Sequence, residues 1–272
     1  MSSVILAILT EVETTPAVLE AAKRLAILLA GTAYIEALVV RVSPISTIMV
    51  TEEVLTPERE KEIRNHETRR ADLLKAAFDR WIEQSGGEQK VKWINAEGVS
   101  AKLVNDWGKR ADYIVVSKPA AGQANIEYEM LHSALFASER PVLVVPPQIK
   151  GDFGDKLAIA WREDKFTSRA VLDALHFIPL TAKVHLLIGH AEGSALPNPP
   201  DILSDRDIDF TTHELILGKD PFGAQLLAKA HELKADMLVM GAFVHHSWHR
   251  MLFGGVTNYM LMHADIPVLM RH

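Results

Sequence analysis

The C-terminal stretch "LVMGAFVHHSWHRMLFGGVTNYMLMHADIPVLMRH", residues 238–272, decides the fold. Its apolar start stops at Gly241. A polar segment follows, then Gly254, Gly255, Val256 and Thr257, and a second apolar run closes the stretch. Two buried strands joined through a glycine-bounded loop and a helix start are the layout of a phosphate-cradling crossover. Val244 stands where such a loop prefers a second glycine, so spacing and chemistry point in different directions.

Working outward, the chain repeats itself. "VILAIL" (Val4–Leu9) and "LAIAW" (Leu157–Trp161) both read as short buried strands. Each leads through a polar turn into a helix-period segment, "TPAVLEAAKRLAILLAG" and "TSRAVLDALHFIPL". "YIEALVV" then matches "VHLLIGH", "WGKRADYIVVSKP" matches "HELKADMLVMGAF", and "ERPVLVVPP" matches "DIPVLMRH". Strands alternating with amphipathic helices predict right-handed crossovers and a parallel sheet. Continuous apolar strands fit a sheet covered on both faces. The reading is two α/β domains, 1–147 and 154–272, joined by the Pro/Gly-rich "PPQIKGDFGD".

The copies are unequal. The first carries a charged helix-forming segment from Thr56 to Gln84, where Thr56 suits the N-cap and Pro57 the first turn. The second has only "AEGSALPNPPDILSDRD" there, which reads as an irregular loop. The charged segment mixes acids and bases and reads as a solvated amphipathic helix.

Composition narrows the function. With 272 residues and 48% hydrophobic content, the chain has material for two cores. A net charge of -6 gives no electrostatic reason to expect nucleic acid. The absence of cysteine excludes disulfides, thiolate nucleophiles and cysteine metal sites. The start, "MSSVILAILTEVE", lacks a basic leader, and no run approaches the roughly 20 apolar residues of a membrane span. These features predict a cytoplasmic protein without a membrane or nucleic-acid partner.

On "ADMLVMGAFVHHSWHRMLFGGVTNYMLMHADIPVLM" and "LAIAWREDKFTSRAVLDAL", the chain resembles the universal stress protein family in its tandem form. The resemblance implies two open five-stranded parallel sheets, Rossmann-like and adenine nucleotide alpha hydrolase-like, related by a pseudo-two-fold axis. It implies a ligand site beyond the carboxyl ends of the strands, where the strand order switches. ATP-binding members carry Gly-x2-Gly-x9-Gly followed by Ser or Thr. Here the spacing survives as Gly241, Val244, Gly254 and Gly255, with Gly255 in the hydroxyl position. Gly254, Gly255 and Val256 retain backbone donors and Thr257 a hydroxyl. Such relatives often hold an Asp at the end of the first strand, where this chain has Thr10 and Arg162.

The resemblance therefore implies an altered nucleotide site in the second copy, with Arg162, Met240, Gly241, Val244, Gly254, Gly255, Val256 and Thr257 around it. ATP, with Mg, is the implied ligand. The first copy lacks the loop: Ser117 lies near the first glycine position, and Tyr128 and Glu129 fall opposite Gly254 and Gly255. Glu127 and Glu129 carry the wrong sign for phosphates, so no triphosphate is expected there. The family also implies dimerisation through the last strands, either within one chain as a pseudo-dimer or between chains as a homodimer. A stress-linked binding or regulatory module is the leading reading. A weak ATPase and a non-nucleotide scaffold remain alternatives, and the sequence names no protein partner.

His245, His246 and His249 invite a metal reading, and His245 and His249 would share a face if helical. No nearby carboxylate completes a set, so solvent-exposed polar residues are the favoured reading. Trp248, Met251, Leu252 and Phe253 read as an apolar cluster beside the loop. No Gly-x-Ser-x-Gly elbow or His-Glu-x-x-His helix is present, so no catalytic residue is assigned.

Overall fold

A computed structural model describes residues 2–46, 55–86, 90–119, 126–247, 250–253 and 255–272. For 244–247 and 250–253 the description is of the backbone. The first half runs β1 (Val4–Ile8), α1 (Thr15–Leu28), β2 (Tyr34–Val42), α2 (Pro57–Gln84), β3 (Val91–Gly98), α3 (Ser100–Gly108), β4 (Tyr113–Ser117), α4 (Ile126–Phe136) and β5 (Val142–Val145). The second runs β6 (Lys156–Trp161), α5 (Lys165–Ala174), β7 (Lys183–His190), α6 (Asp201–Asp205), β8 (Phe210–Ile216), α7 (Phe222–Glu232) and β9 (Met237–Gly241). It ends with β10 (Val244–Ser247), β11 (Arg250–Phe253), α8 (Gly255–His263) and β12 (Val268–Arg271).

Ten strands form one sheet in the order β3-β2-β1-β4-β5-β12-β9-β6-β7-β8. Each half is a parallel five-stranded unit, and β5 and β12 join them antiparallel, Leu143 opposite Leu269. The inner strands are buried on both faces, as their apolar runs require, while the edge strands β3 and β8 are largely open to solvent. One core cluster takes Leu25, Leu74 and Phe78 from the first half and Val171, Phe177 and Leu186 from the second. The opposite face likewise unites Met130 and Leu135 with Leu226 and Met260. The cores are continuous across the seam.

Side chains reinforce that seam. The Tyr113 hydroxyl donates to the Asp173 carbonyl at 2.9 Å, and the Tyr113 ring meets Phe177 edge-on. Lys118, after β4, donates to the Ala264 carbonyl at 2.8 Å, where a cation suits the last carbonyls of α8. Arg271 and Asp173 approach to 3.3 Å. Burial pushes the Asp173 carboxyl up and the Arg271 guanidinium down, against their mutual attraction. That pair fixes geometry more than it adds stability.

The repeated Ala-Asp before the fourth strand has a structural reason. Asp112 accepts the Val4 N–H at 2.8 Å, which ties the start of β1 to β4. In the second half Asp236 accepts Gly154, Lys156 and Asp155 N–H groups at 2.8, 2.9 and 3.2 Å. The Pro/Gly-rich connection is thus fastened. Phe153 within it is 1% exposed, and its carbonyl accepts from Arg24. Gly154 has φ +101°, a conformation side chains rarely adopt, and a Cβ there would sit 2.9 Å from Leu28.

Thr56 caps α2 through the Arg59 N–H, with Pro57 in the first turn. The shorter segment of the second half is not wholly irregular: it folds the short helix α6 and buries Leu203 completely. No helix among the described residues is long and apolar enough to cross a membrane.

The two aspartates should differ in weight. Asp236→Ala strands three backbone donors and should cost about 2 kcal/mol or more, while Asp112→Ala strands one and should cost about half that. Urea denaturation of both variants checks the ordering.

Candidate functional site

In each half the strand order reverses between the first and fourth strands, the point at which open parallel sheets form a crevice beyond the carboxyl ends of the strands. The two switch points differ in which side chains stand there.

At the first, side chains of α2 meet the ends of β1 and β2. Arg70, on α2, donates to the carbonyls of Thr10 and Val40 at the ends of β1 and β2, the first at 3.1 Å. It also binds Glu67 at 3.0 Å, and Glu67 accepts the Val42 N–H at 2.8 Å. Burial pushes the Glu67 carboxyl up, but Arg70 and Val42 outweigh it and hold it below the ordinary value. Thr10 is buried beneath this pair. The charged face of α2 is therefore only partly solvated.

A carboxyl pair lies at the rim. Glu11 follows β1 and hydrogen-bonds Glu127 in the first turn of α4. Burial, then Glu127 and the charge of Glu13, push Glu11 up to about 7, while Arg70 pulls it down. This rim repels phosphates whenever both groups are ionised.

Among the described residues, the second switch point has no counterpart of Arg70. Its border is the segment before α6, held where the Trp161 indole donates to the Asn198 carbonyl at 2.7 Å. Arg162, next after β6, keeps 72% of its side chain exposed. Its guanidinium lies 5.1 Å from the Phe243 ring centroid, and its Nε is 3.5 Å from Asp164. Asp164 is committed elsewhere: it caps α5 by accepting the Phe166 and Thr167 N–H groups, both at 2.9 Å. Arg162 is thus a loosely held cation at the crevice mouth. Lys165 adds charge above the Phe166 ring.

Gly241 has a packing reason. A Cβ there would lie 2.8 Å from the Thr167 hydroxyl and 3.0 Å from its backbone nitrogen. The glycine lets β9 approach the start of α5. Thr257 is fully buried, and its hydroxyl accepts the Phe243 N–H at 3.1 Å, which ties the end of β9 to α8. Gly255 opens α8, and a Cβ there meets nothing within 4 Å. Val256 is half-buried against the core, and the Met240 side chain lies within the core at 3% exposure. Gly254 lies outside the described residues.

The stretch after Gly241 departs from a wrapping loop. Val244 opens β10, which pairs antiparallel with β11 in the register Val244–Phe253 and Ser247–Arg250. A β-branched residue suits that extended backbone. His245 and His246 are strand residues of this hairpin, not neighbours on a helix; His249 and Trp248 lie outside the described residues, as do the side chains of Met251, Leu252 and Phe253.

The structure links Arg162 and Thr257 through Phe243, two residues after Gly241. It adds groups the sequence does not single out. Phe166 stacks on His272 at 4.2 Å and meets Phe243 edge-on at 5.6 Å, and His272 Nδ1 contacts the Ala242 carbonyl at 2.9 Å. Only Asp164, followed by a helix-period run, carried a local signal. The aromatic contacts join residues far apart in the chain.

Residues 156–272 match the family model described as the Universal stress protein family. No curated protein matches the chain. Among solved structures, a universal stress protein from Archaeoglobus fulgidus DSM 4304 is similar over 100% of this chain and 98% of its own, at 16% identity and a TM-score of 0.67. A functionally unknown protein from Pseudomonas aeruginosa PAO1 is similar over 98% of this chain and 92% of its own, at 15% identity and a TM-score of 0.55. At those identities the likeness is one of fold.

The Glu11 carboxyl sets a pH dependence. Its folded value, about 7, is above the ordinary 4.5, so the folded state holds a proton the unfolded chain has released. That stabilisation is complete below about pH 4.5 and is lost as pH rises through 7. Glu11→Gln should therefore melt higher than the parent at pH 8, with the gap closing near pH 4.5.

Proposed function

We propose, on the match of residues 156–272 to the model of the universal stress protein family, that the chain is a tandem stress-linked binding module with one nucleotide site, in its second half. The observation that carries this reading is the contrast between the crevices. In the first, Arg70 and Glu67 meet the ends of β1 and β2, and the second presents Arg162 over Phe243, whose N–H binds Thr257 in the first turn of α8.

The residues present fit a phosphate-bearing ligand. Arg162 supplies a mobile positive charge at the end of β6. The first N–H groups of α8, at Gly255 and Val256, have no acceptor within the helix and lie at its positive end. The open space around Gly255 leaves room for a phosphate to approach the backbone. Phe243, under Arg162, offers an apolar ring face. Among the described residues no cluster of three His, Asp or Glu side chains is arranged to hold a metal, so Mg would arrive with ATP. The module reads ligand occupancy, and its role in the stress response follows from that occupancy.

Calorimetry of the full chain with Mg-ATP tests the proposal. One equivalent should bind. Arg162→Ala should weaken binding about tenfold, the scale of one charge-assisted contact. Gly255→Glu should abolish it without changing the circular dichroism, because the added side chain enters open space while its charge opposes phosphate. Absence of any adenine-nucleotide heat in the parent chain would sink the reading.

A further inference from the structure

Away from both crevices, the outer strands of the second half hold two histidines face to face. His185 on β7 and His213 on β8 bring Nδ1 and Nε2 within 3.2 Å, with ring centroids 5.2 Å apart. Both side chains are half-buried, so solvent ions reach them. Leu187 and Leu215, two residues further along each strand, face the same side and join the core. The backbones carrying the two rings are therefore fixed by the sheet.

We propose that His185 and His213 form a two-histidine site for a borderline divalent metal ion of the zinc class. Imidazole nitrogens bind zinc at about 2.05 Å, and a nitrogen spacing of 3.2 Å then subtends roughly 100° at the ion, close to a tetrahedral angle. The rings must swing by a few tens of degrees to aim both lone pairs at one point. Two half-buried side chains can do this without disturbing the core. Water completes the coordination, since no third His, Asp or Glu joins the pair among the described residues.

The charges around the pair are mixed. Lys183 on β7 and Lys156 on β6 act on His185. Lys229 and Glu232 on α7 act on His213, and those two bind each other at 2.7 Å. Burial, followed by the neighbouring positive charges, holds both imidazoles below the ordinary 6.5. Both rings are then neutral at pH 7, the form a metal requires. The hydrogen bond between them means one facing nitrogen carries a proton. Metal binding moves that proton to the far nitrogen of the same ring, so no net proton is released.

Zinc titration of the full chain, read by melting temperature and by imidazole nitrogen chemical shifts, decides the matter. Zinc should raise the parent's melting temperature and shift the facing nitrogens of His185 and His213. His185→Gln and His213→Gln should each weaken this site at least tenfold while melting like the parent without zinc. A variant with His245, His246 and His249 all changed to Asn should retain it. A zinc response that survives in His185→Gln and His213→Gln, or no zinc response in the parent, overturns the proposal and leaves a cross-strand hydrogen bond.

Discussion

The antiparallel pairing of β5 with β12 is the constraint on which the rest depends. Each half alone would end in a short, largely apolar edge strand with unpaired backbone groups, an unstable surface in water. Pairing the two edges satisfies those groups and buries Leu143 and Leu269 against each other's neighbours. Because the join is antiparallel, the strands of the two halves run in opposite directions. The carboxyl ends of their strands, and with them the crevices, lie at opposite ends of the sheet. The halves share both core clusters, so a change in one is transmitted to the packing of the other.

Duplication therefore left two similar crevices in mechanically joined but chemically separate places. The first acquired a charged helix whose Arg70 and Glu67 satisfy the free carbonyls and N–H groups at the ends of β1 and β2. The second lost that helix. Its replacement, the segment through α6, reaches only as far as Trp161 and leaves Arg162 in solvent. The two halves thus differ in which charged side chains stand near the ends of their first strands.

Much of the architecture was legible in the chain. The strands, the repeated Ala-Asp and the Thr56 cap follow from local pattern, because burial on both faces, edge capping and helix initiation each demand particular residues within a few positions. The site was legible in part. Glycine spacing singled out Gly241, but the packing reason for that glycine is the approach of Thr167, which spacing does not show. The hairpin of β10 and β11 replaced a loop expected from the same residues. Val244 signalled it weakly, through a β-branched side chain at a glycine position.

What the sequence determined by itself was the alternation of strands and helices, their duplication, and the inequality of the two copies. Periodicity and capping are short-range properties, and they are written locally. The tertiary structure decided which side chains meet the ends of the first strands. Arg70 reaches Thr10 across 60 positions, and Phe166 meets His272 across more than a hundred. It also set His185 against His213, because the registration of β7 on β8 is fixed by the whole sheet and not by either strand.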